Sequence, residues 1–169
     1  MEINMELPER KTIRLNGYDY RAPGYYFVTF CTKEKQKLLC DIVGTGVLDG
    51  PRVRFTKYGE IAARQLQIMC TFYENMELEK YVIMPNHIHL LIHIKQNENG
   101  PSGRQVPTNA PISKFVGTFK RFCNKEYGED IWQARSHDHI IRGERDYKKI
   151  WEYIDNNPAK WAEDCFYTE

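Results

Sequence analysis

The 169-residue sequence predicts an α+β fold of the ferredoxin-like, split βαβ type, with an antiparallel sheet and an additional C-terminal helix. Hydrophobic periodicity gives the element order strand, helix, strand, strand, helix, strand, helix. The second and third strands are separated only by the turn pair Pro85-Asn86, which predicts an antiparallel hairpin. The hydrophobic fraction of 41% and the charged fraction of 28% fit one globular domain with its own core.

The first half of the chain supplies the first strand, a helix and the second strand. Residues 25–32 are rich in β-forming side chains and predict the first strand. The glycine-rich stretch 41–51 predicts a loop or a loose hairpin. Apolar residues at helical spacing predict a helix over residues 58–73, and residues 76–84 predict the second strand.

The third strand, residues 87–94, alternates two kinds of side chain. His87, His89, Leu91 and His93 share one face, because alternate residues of a strand point to the same side. The other face carries only isoleucine and leucine. We expect the apolar face to pack against helices and the more polar face to remain available for chemistry.

The second half supplies a polar stretch, a helix, a strand and a final helix. Residues 95–111 predict a flexible loop because they are rich in small polar residues, glycine and proline. Helical spacing predicts a second helix over residues 112–127, and residues 131–142 predict the fourth strand with turns. The last helix opens with the acidic stretch 143–146 and ends near Asn157-Pro158.

We interpret residues 24–165 as a single domain that follows a polar N-terminal lead-in, residues 1–23. The five cysteines form no Cys-x-x-Cys pair, which disfavours a zinc ribbon or a disulfide framework. The N-terminal residues lack the hydrophobic region of a signal peptide, and no apolar run is long enough to span a bilayer. We therefore expect a cytoplasmic protein with no membrane partner.

The pair His87 and His89 is a candidate metal site. Their side chains project next to each other at the start of a strand, and two imidazoles can bind one cation. Ligand softness suits zinc or manganese, whereas a phosphate substrate often brings magnesium. Asn157 or a nearby carboxylate could complete the ligands. The alternative is a pair of strand histidines that bind no metal.

Tyr153 and Asn157 form the second candidate group. They are four residues apart in the final helix, so they lie on one face of it. Tyrosine forms covalent intermediates in enzymes, but its pKa near 10 requires activation by a cation or a polarised phosphate. The combination suggests metal-assisted attack by tyrosine on a phosphodiester. The alternatives are a core tyrosine and a helix-capping asparagine.

Basic residues near these groups are candidate DNA contacts, although a solvated charged helix face is the usual explanation for such a pattern. The candidates are Lys114, Lys120, Arg121 and Arg142. A second His-x-His motif contains His139, which we interpret as a residue that supports the site without binding the metal. The net charge is only +1, so any nucleic-acid site depends on local clustering.

The motifs together resemble those of the HUH-type tyrosine transposases that act on single-stranded DNA, in particular the REP-associated tyrosine transposases. The matching segments are MPNHIHLLI at 84–92, IWQ at 131–133, DHIIR at 138–142 and YIDNNPAKW at 153–161. They occur in the order typical of the family. The resemblance runs from about residue 24 to residue 161.

The resemblance implies a ferredoxin-like HUH domain with a C-terminal catalytic helix. His87, His89 and Asn157 would bind Mg²⁺ or Mn²⁺, and Tyr153 would be the nucleophile. The implied reaction cleaves and rejoins single-stranded DNA next to a hairpin, a REP-like palindrome, through a 5′-phosphotyrosine intermediate. The protein would act as a monomer or a homodimer.

Two other functions fit the same residues. A non-catalytic single-stranded nucleic-acid-binding module would use the sheet for binding, and replacing Tyr153 by Phe would leave binding unchanged. A metal-dependent nuclease that uses water would turn over many times and form no adduct with DNA. The presence of a nucleophile together with a ligand set favours the transposase.

Overall fold

The computed structural model describes residues 22–44, 50–96 and 111–168. Most of the predicted lead-in, the tip of the glycine-rich stretch and residues 97–110 of the predicted flexible loop lie outside the described residues. Pro111, the last residue assigned to that loop, is the first residue of a helix.

The described chain forms the predicted strands and helices, with a small hairpin inserted after the first strand. The strands are β1 (Gly24–Cys31), β2 (Cys40–Val43), β3 (Arg52–Phe55), β4 (Met76–Ile83), β5 (His87–Ile94) and β6 (His137–Ile140). The helices are α1 (Lys57–Cys70), α2 (Pro111–Tyr127) and α3 (Glu144–Asn156). Short 3-10 turns occupy Lys33–Lys35 and Trp161–Glu163.

Four strands form an antiparallel sheet in the order β4-β5-β1-β6. If β2 and β3 are set aside, this is the strand order of a ferredoxin-like split βαβ fold. β2 and β3 pair with each other as a separate two-stranded ribbon, which confirms the loose hairpin predicted around the glycine-rich stretch. The predicted fold class is therefore confirmed.

The two faces of the sheet carry different layers. Phe30 of β1 contacts the ring of Phe119 on α2, with centroids 5.4 Å apart. Phe27 contacts the ring of Tyr153 on α3, with centroids 5.9 Å apart. Because Phe27 and Phe30 are three residues apart in one strand, they point to opposite faces. The sheet therefore lies between α2, which packs with α1 over the main core, and α3.

The fourth strand is shorter than predicted. Regular pairing covers only four residues, and Trp132 forms an isolated bridge with Thr32. The Trp132 ring is buried against Phe30 and Phe119, with centroids 5.3 Å and 5.8 Å away. The predicted strand over 131–142 was too long because its first apolar residues fill the core instead of extending the sheet.

The expectation that the histidine face of β5 remains open was wrong. His87 and His89 are 0% and 1% exposed, because α3 and the chain after it cover this face. We call residues 158–168 the C-terminal segment. Its Trp161 and Phe166 rings lie 6.0 Å and 4.6 Å from the His87 ring. These aromatic side chains follow the last predicted helix, where no periodic pattern indicated that the chain turns back over the sheet.

Within the described residues, no helix is long and apolar enough to cross a membrane.

Candidate metal and nucleophile site

The two histidines of β5 meet through their Nε2 atoms, which lie 3.0 Å apart. Both side chains leave the same face of the strand, as their two-residue spacing predicts. Both side chains are buried, so neither ring is in contact with bulk solvent. The structure thus brings together the two predicted imidazole ligands.

Two buried polar side chains orient these rings through their Nδ1 atoms. The Asn86 amide nitrogen donates to the carbonyls of Lys35 and Phe166, at 3.2 Å and 2.8 Å. The Asn86 amide oxygen is therefore the acceptor of the 2.8 Å bond from His87 Nδ1–H, which leaves a lone pair on His87 Nε2. The Thr29 hydroxyl lies 2.7 Å from His89 Nδ1 and can donate or accept, so it suits either tautomer.

Burial keeps both imidazoles neutral near pH 7. It lowers the pKa of His87 to about 4, against a smaller opposing effect from the Asp164 carboxylate. Burial also lowers the pKa of His89 well below its usual value, and repulsion from His87 adds to this. Neutral imidazole is the form that binds a metal, so the pair can act as ligands over the physiological pH range.

Tyr153 places its hydroxyl directly beside the histidine pair. The hydroxyl oxygen lies 3.4 Å from His89 Nε2 and donates a 3.1 Å hydrogen bond to Asp164 Oδ2. The residue is 40% exposed, so a substrate can reach it. Burial, and then the Asp164 carboxylate, raise the pKa of Tyr153. Protein groups alone therefore hold the phenol protonated, and activation requires added positive charge.

Asp164 is a site residue that the sequence patterns did not identify. Its Oδ2 accepts a 2.7 Å hydrogen bond from the Asn157 amide nitrogen, and its Oδ1 accepts a 2.7 Å bond from the backbone of Phe166. One carboxylate oxygen and one nitrogen from each of His87 and His89 all lie within 4.8 Å of one another. A nearby carboxylate was among the expected ligands, but Asp164 lies beyond the last helix, where no spacing rule selects it.

Asn157 has the burial and the free acceptor expected of a ligand. It follows the last residue of α3, one helical turn after Tyr153, and is 2% exposed. Its Oδ1 is buried and accepts no hydrogen bond from the described residues. A buried carbonyl oxygen without a donor is costly, and a cation would compensate for it.

The donor atoms fit a divalent cation. Two imidazole nitrogens and a carboxylate oxygen converge, and the Asn157 amide is hydrogen-bonded to that carboxylate. Nitrogen and oxygen donors of this kind suit Mn²⁺ or Mg²⁺. The residues present therefore fit the metal that the resemblance implies.

An open groove of about 330 Å³ runs along α3 beside this site, and we call it the Tyr153 groove. Its lining residues are Lys149, Glu152, Tyr153, Asn156, Asn157, Lys160, Glu163 and Asp164. Two lysines therefore stand near the candidate nucleophile, and neither was among the DNA contacts predicted from the sequence.

None of the predicted DNA contacts lines the Tyr153 groove. Lys114 and Arg121 are exposed on α2, which covers the opposite face of the sheet from Tyr153. Arg142 is exposed just after β6. Their role in DNA binding stays a prediction.

Lys120 is not available as a surface cation. It is 9% exposed, and its ammonium group donates to the carbonyls of Gln133 and Arg135, at 2.7 Å and 3.3 Å. Burial lowers its pKa to about 8. The helical pattern explains this, because Lys120 lies within the stripe of α2 that faces the core.

His139 holds two elements together instead of touching the histidine pair's ligand atoms. Its Nε2 donates a 2.9 Å hydrogen bond to Asp146 Oδ2, in the first turn of α3. The same carboxylate oxygen accepts from the backbone of Arg142, at 3.2 Å. His139 thus fixes β6 to the helix that carries Tyr153, and its supporting role in the site stays a prediction.

Several known proteins are similar to this chain in sequence, although no family model matches it. It is 31% identical to an uncharacterised Haemophilus influenzae protein, over 99% of this chain and 98% of that protein. Two shorter matches carry the name REP-associated tyrosine transposase, in one case as a putative member. That one, also from H. influenzae, is 33% identical over 46% of this chain, and the other, from Escherichia coli K12, is 26% identical over 50%.

These two matches span about half of the named relatives, 47% and 45% of their lengths. Among solved structures, the fold is similar to that of a REP-associated tyrosine transposase bound to a REP hairpin. The TM-score is 0.61 at 20% sequence identity, over 88% of this chain and 74% of that one. The chain is thus similar over about half of its length to proteins named REP-associated tyrosine transposases, and it shares the fold of one of them.

Proposed function

We propose that the protein is a metal-dependent HUH-type tyrosine transposase or nickase that cleaves and rejoins single-stranded DNA next to hairpins. The observation that carries this proposal is the position of the Tyr153 hydroxyl, 3.4 Å from His89 Nε2 and within the same chain as both histidines. A nucleophile next to a ligand set is the arrangement that metal-assisted attack on a phosphodiester requires.

His87, His89 and Asn157 hold Mg²⁺ or Mn²⁺ in this proposal. When bound, the ion polarises a non-bridging phosphate oxygen and supplies the positive charge that the tyrosine needs. Asn86 and Thr29 fix the two imidazole rings, so that the Nε2 atoms stay directed into the site. The burial of the pair keeps both imidazoles in the neutral form that binds a metal.

Tyr153 attacks the phosphorus in this scheme. A bond forms between the tyrosine oxygen and phosphorus, the bond from phosphorus to the 3′ oxygen breaks, and the proton lost by tyrosine ends on that 3′ oxygen. The products are a 5′-phosphotyrosine and a free 3′-hydroxyl. Because one phosphodiester replaces another, a 3′-hydroxyl can reverse the step on a new partner without ATP.

The proposed substrate is a single-stranded DNA hairpin of the REP-like, palindromic kind. The REP-associated tyrosine transposase of similar fold is bound to a REP hairpin, which supports this substrate. One chain carries the nucleophile and the proposed ligands, which is compatible with action as a monomer, and a homodimer remains the alternative. Action on chromosomal DNA in a bacterial cell would place the protein in the cytoplasm.

A denaturing-gel adduct assay tests the proposal. Hairpins drawn from the DNA that flanks the gene are labelled at the 3′ end and incubated with the full chain and Mn²⁺ or Mg²⁺. We expect a labelled protein band that requires the metal, because the 3′ fragment stays attached to Tyr153. Tyr153→Phe and His87→Ala should both abolish this band.

Tyr147→Phe is the matched control, because Tyr147 lies on the same helix and packs against Tyr25 at the far end of the same face. It should leave the adduct unchanged. Hairpin binding by every variant without an adduct would instead support a binding module. Cleavage that survives in Tyr153→Phe would identify water as the nucleophile and refute the tyrosine mechanism.

A further inference from the structure

The carboxylate of Asp164 lies among the ligand atoms of the proposed metal site, although it belongs to none of the motifs that define that site. It comes from the C-terminal segment, after the turn at Trp161–Glu163. It shares a region 4.8 Å across with ligand atoms of both histidines. It also accepts a hydrogen bond from Asn157, the third proposed ligand.

We propose that Asp164 is a further protein ligand of the divalent cation, supplied by the C-terminal segment. This inference rests on the proposed metal site and adds to it the one negatively charged donor. With His87, His89 and Asn157 alone, the site would present only neutral donors. Asp164 supplies the charge that a hard cation such as Mn²⁺ or Mg²⁺ prefers.

The separations suit one ion. Ligands bound at about 2.1 Å from a common metal lie up to roughly 4.2 Å apart, so donors already within 4.8 Å require only small side-chain movements. The carboxylate is also held in place, since its Oδ1 accepts from the Phe166 backbone while Oδ2 faces Tyr153 and Asn157. Two oxygens offer about four lone pairs, so these three bonds leave capacity for a metal.

A neighbouring acceptor argues against a purely structural role. Asn157 Oδ1 is buried beside this carboxylate and accepts from none of the described residues. An unpaired acceptor beside a carboxylate is electrostatically unfavourable, and a cation bound between them would compensate for it. A carboxylate that only anchored the C-terminal segment would need Phe166 and the donors of Tyr153 and Asn157, but not the two imidazoles.

Direct measurement of Mn²⁺ binding tests the inference without any assay of activity. The full chain is titrated with Mn²⁺, with free ion followed by electron paramagnetic resonance and heat by calorimetry. We expect Asp164→Ala to raise the dissociation constant by at least about tenfold, as loss of a charged oxygen ligand weakens binding. Asp155→Ala is the matched control, because Asp155 is on α3 but pairs with Lys80, and it should stay within about twofold of wild type.

Asp164→Asn keeps an oxygen that can accept from the Phe166 backbone but removes the negative charge. It therefore tests whether Asp164 binds the metal if the alanine variant does not fold. Weaker binding by the folded Asn variant supports the inference. Wild-type affinity in either Asp164 variant, with binding still lost in His89→Ala, overturns the Asp164 role and leaves the proposed function intact. Failure of the wild type to bind Mn²⁺ at all would overturn both.

Discussion

At the scale of single residues, Asn86 connects three parts of the site although it would bind no ion itself. It is fully buried and bonds to His87, to Lys35 and to Phe166 of the C-terminal segment. Asn86→Ala should therefore lower the free energy of unfolding by about 2–3 kcal/mol, because buried partners lose their hydrogen bonds. It should also weaken Mn²⁺ binding by roughly 10–100-fold, since the His87 ring loses its orientation.

Denaturant unfolding and Mn²⁺ titration measure these two effects. Asn75→Ala is a suitable control, because Asn75 precedes β4 and lies at the opposite end of β5 from His87. Loss of stability without any loss of metal affinity would show that Asn86 only supports the fold.

The buried histidines also make stability depend on pH. The pKa of His87 is about 4 in the folded protein, below its usual 6.5, so the unfolded chain binds more protons between these values. The unfolding free energy should therefore fall as the pH drops from about 7 to 4.5, with a His87 contribution of ~2 kcal/mol. The comparison requires denaturant unfolding at both pH values, for wild type, His87→Asn and the exposed-site control His137→Asn.

We expect His87→Asn to lose less stability on acidification than wild type, and His137→Asn to behave as wild type does. An identical loss in all three proteins would mean that other groups, such as the carboxylates, account for the whole acid response.

The periodicity of strands and helices explains how many of the site residues could be predicted from the sequence. The sequence could propose His87, His89, Tyr153 and Asn157 as candidates because regular strand and helix periods fix which side chains share a face. Asp164 lies past Pro158, in a stretch with a 3-10 turn and no period, so only the folded chain shows its position. The error at Lys120 was avoidable, because its helical spacing from Val116 already placed it in the buried stripe.

At the scale of elements, replacing two helical glycines by alanine should have opposite effects on stability. A Cβ on Gly59 in α1 would lie 2.0 Å from the Leu39 carbonyl oxygen, so Gly59→Ala should destabilise the protein by about 1–3 kcal/mol through overpacking. Gly117 in α2 is exposed and has no atom within 4 Å of such a Cβ, so Gly117→Ala should stabilise the protein by about 0.5–1 kcal/mol. Thermal and denaturant unfolding of the pair provide the test.

If Gly59→Ala were neutral, the contact between the start of α1 and the chain before β2 would be loose. That contact matters to the site because the Leu39 backbone N–H also donates to the carbonyl of Pro85, in the turn that precedes β5.

The element predictions succeeded where the pattern was long. Helices α1 and α2 and the hairpin of β4 and β5 lie within a few residues of the predicted limits. The four-residue β6 was overestimated, since a short strand and the apolar residues that fill the core before it have the same sequence character. Length, and not residue type, separates these outcomes.

At the scale of the whole molecule, the sheet separates two surfaces with different basic residues. The Tyr153 groove carries Lys149 and Lys160, whereas exposed Lys114 and Arg121 lie on the α2 side. If the proposed function holds, we expect the DNA strand that delivers a phosphate to Tyr153 to lie along this groove and its backbone to contact these two lysines. The sequence could not make this distinction, because charge alone does not say which face a helix covers.

Hairpin binding by two double variants distinguishes the surfaces. Replacing Lys149 and Lys160 by Gln should weaken binding by roughly tenfold and lower the slope of log K against log salt by about 1.4, as two phosphate contacts to a single strand are lost. Replacing Lys114 and Arg121 by Gln should leave the slope nearly unchanged if DNA stays on the groove side. Titrations at several salt concentrations distinguish lost phosphate contacts from a folding defect. Loss of phosphate contacts lowers the salt dependence of binding, whereas a folding defect lowers the affinity without changing that slope. A larger loss from the α2 pair would mean that the hairpin wraps around the molecule, with only its single-stranded end entering the groove, and the α2 residues would then be contacts as the sequence predicted.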